Sequence, residues 1–485
     1  MNYRIIYYIL GRIMLLLSFF LLFPSICAFI YNEPKKNITS FLYTILISLV
    51  ISLIFQILAN PKTMKKNFYA KEGFVIVAIT WLIYSFLGSL PFYFSGSIEN
   101  FLDSIFESTS GFTATGSSIL TNIEIMPHSM LFWRSLTHFI GGMGVIIFAI
   151  VLLPRSPHNI HIMKAEMPGP IFGKLMSSMK NTAIGLYSLY IILTILLFFL
   201  LVISGIGVFD SINLALSTAG TGGFAPKNLG IAAYSNDYIT FVIAIFMILF
   251  ALNLNLVYMI IVKRYFKAFK SEELRWFLSF IILSTFAIFI HSLISINFES
   301  ERLLDVFFTV SSIISTTGFT YRNFSDWSMF SQLLILFLMI IGGCAGGTAG
   351  GLKIPRIMFL FKNTQNYIHK CINPNKITTI TIEKKTLENQ DIFSNYLILY
   401  LMTFSTLVLL ISTQLDDFEK VFTLVMSTLN NIGPGFNSYG PFENYADIPY
   451  LGKLFLTISM LLGRLEIIPF IVLLAPQTWR RKRTK

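Results

Sequence analysis

Charge is the scarcest commodity in this chain: of 485 residues only 12% are charged, against 55% that are hydrophobic. Soluble domains carry about a quarter charged residues, because water must be met over most of their surface. Half that fraction, with 48 Phe and a mean hydropathy of +0.71, excludes a water-facing globular protein. Cysteine is also sparse. Cys27, Cys344 and Cys371 form no spacing that suggests a metal site or a disulfide framework. The six histidines hold no HExxH pair, and no facing aspartate or Ser/His pairs lie inside the apolar runs, which argues against a membrane-embedded enzyme. No long polar segment remains for a separate soluble enzyme.

The formal charge of +12 is distributed in a way that excludes a nucleic-acid partner. Lys and Arg sit in short clusters between apolar runs: Lys62 to Lys71, Arg155 to Lys180, Lys263 to Arg275, Lys353 to Lys385, and the tail Arg480 to Lys485. Alternate connections hold few basic residues and several acids, such as Asp210, Glu299, Glu301, Glu443 and Asp447. This positive-inside pattern predicts that the basic loops and both termini face the cytoplasm, in a multi-pass cytoplasmic-membrane protein; Lys35 and Lys36 run against it for the first pair. The basic loops at 263–275 and 353–385 suit contact with anionic membrane lipid or with a cytoplasmic partner.

A spanning helix needs about 20 mainly apolar residues. Runs of that kind are expected near 9–30, 41–59, 74–94, 131–153, 184–206, 238–262, 277–297, 331–361 (interrupted), 393–414 and 451–475. Four further apolar stretches, 101–112, 209–219, 303–314 and 418–429, are too short to span and fit re-entrant helices. Each runs into a Gly-, Ser-, Thr- or Asn-rich stretch followed by another spanning helix. The stretches are Ala114-Thr115-Gly116, Gly220-Thr221-Gly222-Gly223, Ser315-Thr316-Thr317-Gly318 and Asn430-Asn431-Ile432-Gly433. Aligned on Gly116, Gly223, Gly318 and Gly433, they lie 107, 95 and 115 residues apart. The pattern predicts an all-α fold with an N-terminal helix pair (1–60) and four helix–pore-loop–helix repeats in pseudo-fourfold arrangement (61–155, 156–264, 265–370 and 371–485).

Irregular backbone at membrane depth is tolerated only where it is buried in protein or lines a water-filled path. Inward carbonyls replace the hydration shell of a monovalent cation in such loops, and the sharply turned backbone favours glycine. No acidic ring interrupts them, so carbonyls rather than carboxylates are the candidate ligands.

Further stretches carry a resemblance over the whole chain: Phe106 to Phe112 before the first loop, Trp133 to Gly144 after it, Ala165 to Pro170, Gly342 to Gly351, and Gly463-Arg464-Leu465-Glu466. With these the sequence resembles the membrane subunit of Trk-type potassium uptake systems, the TrkH branch of the TrkH/KtrB/HKT superfamily. Ala114 stands where that family often has Thr, and Gly220 where Ser is common; neither removes a carbonyl.

The resemblance implies K⁺ as the transported ion, no organic cofactor, a homodimer, and a docked cytoplasmic ring of TrkA-type nucleotide-binding subunits. In the superfamily, Gly at the first filter position goes with potassium and Ser with sodium, so Gly116 implies potassium; a sodium-permeable or sodium-coupled transporter is the alternative on the same fold. Gly342, Gly343, Cys344, Ala345, Gly346, Gly347, Thr348, Ala349, Gly350 and Gly351 include six glycines, each costing a helix about 1 kcal/mol against Ala. Here the resemblance implies an intramembrane gate loop, and it places Arg464 beside the pore as a charge barrier. Close packing of small residues and an interhelical salt bridge are the respective structural alternatives.

Overall fold

The computed structural model describes residues 1–60, 70–142, 144, 179–261, 266–294, 301–374, 380–382, 385–386 and 391–479. The 165–170 stretch, the end of the 131–153 run, most of the first two basic clusters, Lys263, Arg264 and the basic tail lie outside them.

Two long helices, α1 (Tyr3–Ile30) and α2 (Lys35–Ala59), form an antiparallel hairpin. Apolar side chains gain nothing by leaving lipid for another helix, so small and polar residues hold the pair. Ser52 Oγ donates to the Gly11 carbonyl at 2.8 Å, and Ser48 Oγ to that of Met14 at 2.9 Å. The hairpin is fixed to α3 (Ala70–Ser95) through Tyr84 Oη, which donates to the Ile13 carbonyl at 2.8 Å.

Four short helices follow the predicted boundaries closely: α4 (Phe101–Thr113), α7 (Val208–Gly220), α11 (Leu303–Ile314) and α15 (Phe418–Leu429). Each stands between a first helix (α3; α6, Met179–Ile203; α10, Glu272–Ile294; α14, Asp391–Ser412) and a second (α5, His128–Gly142; α8, Asp237–Ala251; α12, Met329–Ile341; α16, Tyr450–Arg464). Asp103, Asp210 and Asp305 occupy the first turns of the first three short helices, where a negative charge complements the helix dipole. The opposite, negative ends converge on the middle of the bundle.

The sequence pattern predicts unbroken spans at 238–262 and 451–475, and the structure corrects both. α8 turns by 107° into α9 (Leu254–Ile261), and α16 by 115° into α17 (Ile468–Leu474). In the third repeat the break is longer, and α13 (Ile354–Ile372) resumes beyond it. Six helices are therefore long and apolar enough to cross a membrane, or eight with each bent pair counted as one span, among the described residues. The breaks fall 13–15 residues into the second helices of the second, third and fourth repeats, so among the described residues the interruption is not confined to the Gly-rich segment. A last helix, α18 (Pro476–Trp479), a two-stranded antiparallel ribbon, Thr381–Ile382 with Lys385–Thr386, and four short 3-10 helices complete the described elements.

Candidate pore site

The four short helices end in the same way. The N–H of Ala114, Thr221, Thr316 and Asn431 donates to the carbonyl three residues back at 3.0–3.2 Å. The next N–H, of Thr115, Gly222, Thr317 and Ile432, donates to the carbonyl five back (Ser110, Ser217, Ser312, Ser427) at 2.9–3.0 Å. This is the Schellman closure, and its left-handed residue is ordinarily Gly or Asn. Here Ala114, Thr221, Thr316 and Asn431 hold φ between +51° and +54°. For a β-branched Thr such a conformation is strained, and strain of this kind clusters at functional sites. Two residues on, the aligned glycines are again at positive φ: +84° (Gly116), +82° (Gly223), +74° (Gly318) and +105° (Gly433).

The aligned glycines close a ring. A methyl group built on Gly116 would lie 2.1 Å from the Gly222 carbonyl oxygen; on Gly223, 2.2 Å from that of Thr317; on Gly318, 1.8 Å from that of Ile432; and on Gly433, 2.6 Å from that of Thr115. Each loop thus abuts the residue just before the aligned glycine of the next, and the fourth returns to the first. The backbones approach this closely only because no Cβ intervenes. All four glycines border one cavity, with Ser117, Arg134, Thr320 and Tyr445 around it.

Buried polar groups brace the ring from outside. Glu107 and Arg134, both essentially inaccessible, pair at 2.7 Å, and the Glu107 carboxylate also accepts from Ser118 Oγ and the Ile119 N–H. The guanidinium lies 4.0 Å from the centre of the Phe224 ring, a cation–π contact that joins the first loop to the second. His138 also stacks on Phe224, centroids 4.1 Å apart, with Nδ1 3.0 Å from Ser217 Oγ. Gly220 ends its helix against the His138 carbonyl. Hydroxyl pairs recur: Thr113 with Thr115, and Ser315 with Thr317, each at 2.7 Å. Asn430 accepts from Tyr400 Oη at 3.1 Å, and Asn431 Nδ2 donates to Thr115 Oγ1 and the Met460 carbonyl, both at 2.9 Å.

The Gly342–Gly351 segment lies beneath the ring, wedged among the helix breaks. Cys344 and Thr348 donate backbone N–H groups to the carbonyls of Ala251 and Phe250, Ala345 N–H donates to Glu273 at 2.6 Å, and Gly350 N–H to Thr316 Oγ1 at 2.7 Å. Its glycines are needed for contact: a Cβ on Gly347 would sit 2.5 Å from the Ala251 oxygen, and on Gly350, 2.4 Å from that of Asn430. Arg464 closes α16 and donates to three carbonyls, Thr348 at 2.7 Å, Gly141 at 2.5 Å and Gly142 at 2.6 Å. The two stretches join again where Glu466 pairs with Lys353 at 3.0 Å and with Arg356. Arg464, Glu466, Gly346, Gly350 and Trp81 line a second cavity on this side.

The model of the TrkH cation transport proteins matches residues 42–481. The chain belongs to the TrkH family. It is 32% identical to the Trk system potassium uptake protein TrkH of Salmonella typhimurium over 99% of this chain and 100% of that protein. It is 31% identical to an uncharacterized cation transporter of Methanocaldococcus jannaschii, over 97% and 95%. Its fold superposes on the crystal structure of the potassium transporter TrkH from Vibrio parahaemolyticus with a TM-score of 0.88, 28% identity, and coverage of 99% and 100%. This places it among multi-pass membrane ion transporters rather than in an enzyme family.

TrkH membership accounts for the architecture, yet the motifs do not say which of their residues pair with one another. The Glu107–Arg134 pair is spread over 27 positions. Ser110, Ser217, Ser312 and Ser427, each six residues before an aligned glycine, are a readable signal that the glycine alignment alone overlooks.

Proposed function

We propose that this chain carries K⁺ inward across the cytoplasmic membrane along the axis of the glycine ring. Residues Ala114, Thr115, Gly116, Gly220, Thr221, Gly222, Gly223, Ser315, Thr316, Thr317, Gly318, Asn430, Asn431, Ile432 and Gly433 then form the selectivity filter. The closed cycle of four loops at matching left-handed positions carries this reading, because it gathers backbone oxygens of every repeat around one axis without any carboxylate. The relatives named for potassium uptake support the choice of ion. No nucleotide hydrolysis is needed, since a membrane potential supplies about 2.3 kcal/mol per charge per 100 mV.

The test is Rb⁺ uptake and growth at low potassium in uptake-deficient bacteria, comparing the chain with Gly116→Ser. The wild type is expected to restore growth, and Gly116→Ser to lose discrimination against Na⁺. An unchanged K⁺/Na⁺ ratio in the variant overturns the assignment of the first loop, and uptake of Na⁺ alone by the wild type moves the sodium alternative ahead.

In the same reading, residues 342–351 are the gate and Arg464 is both its clamp and a charge barrier. Three carbonyls bind the guanidinium, one of them on the gate loop, so removing it frees the loop and the positive charge together. Arg464→Ala is therefore expected to raise Rb⁺ flux per transporter in proteoliposomes. A fall in flux from well-folded protein rules out the barrier. The proposal includes a homodimer and a TrkA-type regulatory ring on the cytoplasmic side, as the resemblance implies, and co-purification with such subunits tests it.

A further inference from the structure

The fourth loop departs from the other three at one atom. The Gly433 carbonyl oxygen accepts from Tyr445 Oη at 2.6 Å, Ser427 Oγ at 2.6 Å and Ser117 Oγ at 3.2 Å. A carbonyl has two lone pairs, and the two short bonds, from Tyr445 and Ser427, fill both; Ser117 at 3.2 Å lies beyond the usual O–H···O range. The equivalent oxygens of Gly116, Gly223 and Gly318 receive no protein donor among the described residues. The serines explain part of the difference. Ser217 is engaged with His138, and Ser312 reaches one residue further, to the Phe319 carbonyl at 2.9 Å. Only Ser427 turns onto its own aligned glycine.

Two observations agree with this exception. Gly433 has φ +105°, whereas the other three lie between +74° and +84°. It also precedes Pro434, while Ser117, Phe224 and Phe319 follow the other glycines. Tyr445 is itself firmly placed: its N–H donates to the Ser118 carbonyl at 2.8 Å, and its ring packs on Phe106 and Tyr439. A buried phenol packed against two aromatic rings offers a donor at fixed geometry, with little entropy left to lose.

We infer that Tyr445 is a positioning residue for ion selectivity, which withholds the Gly433 carbonyl and leaves the Gly433 end of the filter with three carbonyl ligands instead of four. The inference rests on the proposed filter. Selectivity and residence in such a filter depend on the number and field strength of the carbonyls. Three ligands hold a cation more weakly than four, so the ion passes on readily at this end. Releasing the fourth carbonyl tightens that site.

The experiment is concentration-dependent Rb⁺ uptake by the full chain, for wild type, Tyr445→Phe, Tyr445→Phe/Ser427→Ala and Gly116→Ser. Tyr445→Phe keeps the ring contacts and removes only the donor. KM for Rb⁺ is expected to fall in the single variant and further in the double, by about fivefold per strong hydrogen bond removed. Vmax should stay level or drop; a general loss of structure lowers Vmax without lowering KM. The Rb⁺ concentration needed to protect detergent-solubilised protein from thermal unfolding should fall in the same order, and this reading requires no transport. Unchanged or increased KM and unchanged protection in both variants overturn the inference, provided that Gly116→Ser still alters selectivity. If Gly116→Ser leaves selectivity untouched as well, the filter assignment itself fails.

Discussion

Replacing Gly318 by alanine is expected to cut Rb⁺ uptake by at least about 100-fold, equivalent to roughly 2.7 kcal/mol of barrier, while the protein still reaches the membrane. Two costs coincide at this position. The left-handed backbone, φ +74°, charges an alanine about 1 kcal/mol. The larger cost is steric: the new methyl would stand 1.8 Å from the Ile432 oxygen and 2.8 Å from Pro434 Cδ. Neither neighbour is a flexible side-chain end that swings aside. The Ile432 oxygen belongs to the next loop of a closed cycle, so its displacement shifts Gly433 against Thr115 and distorts all four loops. Gly205→Ala is the control. Gly205 has a similar φ, +91°, and open space around its missing Cβ, so it bears the backbone cost alone. The measurement is initial Rb⁺ uptake normalised to protein in the membrane. Equal uptake by the two variants would show that the ring contact does not govern the ion path.

The second large effect is on stability. Glu107→Gln is expected to destabilise the protein by about 3–5 kcal/mol, because it leaves the Arg134 guanidinium buried without a counter-charge. Both partners are shielded from solvent, and the carboxylate serves three donors at once: Arg134 Nε, Ser118 Oγ, which is within reach of either oxygen, and the Ile119 N–H. An amide replaces one accepting oxygen with a donor, so it also opposes a neighbouring N–H or hydroxyl. Adding Arg134→Met to Glu107→Gln should recover much of the loss, since removal of both charges cancels the uncompensated one, and the departure from additivity measures the coupling. Thermal unfolding in detergent checks the series. A single variant as stable as the wild type would show that water or a rearranged side chain compensates the charge. Selectivity is also expected to shift, because Arg134 holds Phe224, the residue after the second aligned glycine.

Much of the architecture was legible in the chain itself. Span length, the four short apolar segments and the glycine alignment depend on local composition, because a helix in lipid must satisfy its own backbone and be apolar throughout. The short helices accordingly fall within about two residues of where the sequence predicts them. The breaks at Leu252-Asn253 and at Leu465 to Ile467 were not legible. Neither contains proline or glycine, and the polar residues they do carry, Asn253 and Glu466, sit in runs that are otherwise mainly apolar. They exist because neighbouring segments take over the released backbone groups: Leu254 N–H donates to the Gly346 carbonyl, and the Ala251 carbonyl accepts from Cys344.

The sequence by itself determined that this protein lies in a membrane, that it repeats one unit four times, and which glycines correspond. Those properties follow from hydropathy and from the residue types that a left-handed turn admits. Tertiary structure alone decided which loop abuts which, where Arg464 directs its charge, that Glu107 and Arg134 form a pair, and that three hydroxyls converge on Gly433. Such contacts join residues up to 323 positions apart. Their existence depends on angstrom-scale distances between packed helices, a quantity that hydropathy and spacing do not encode.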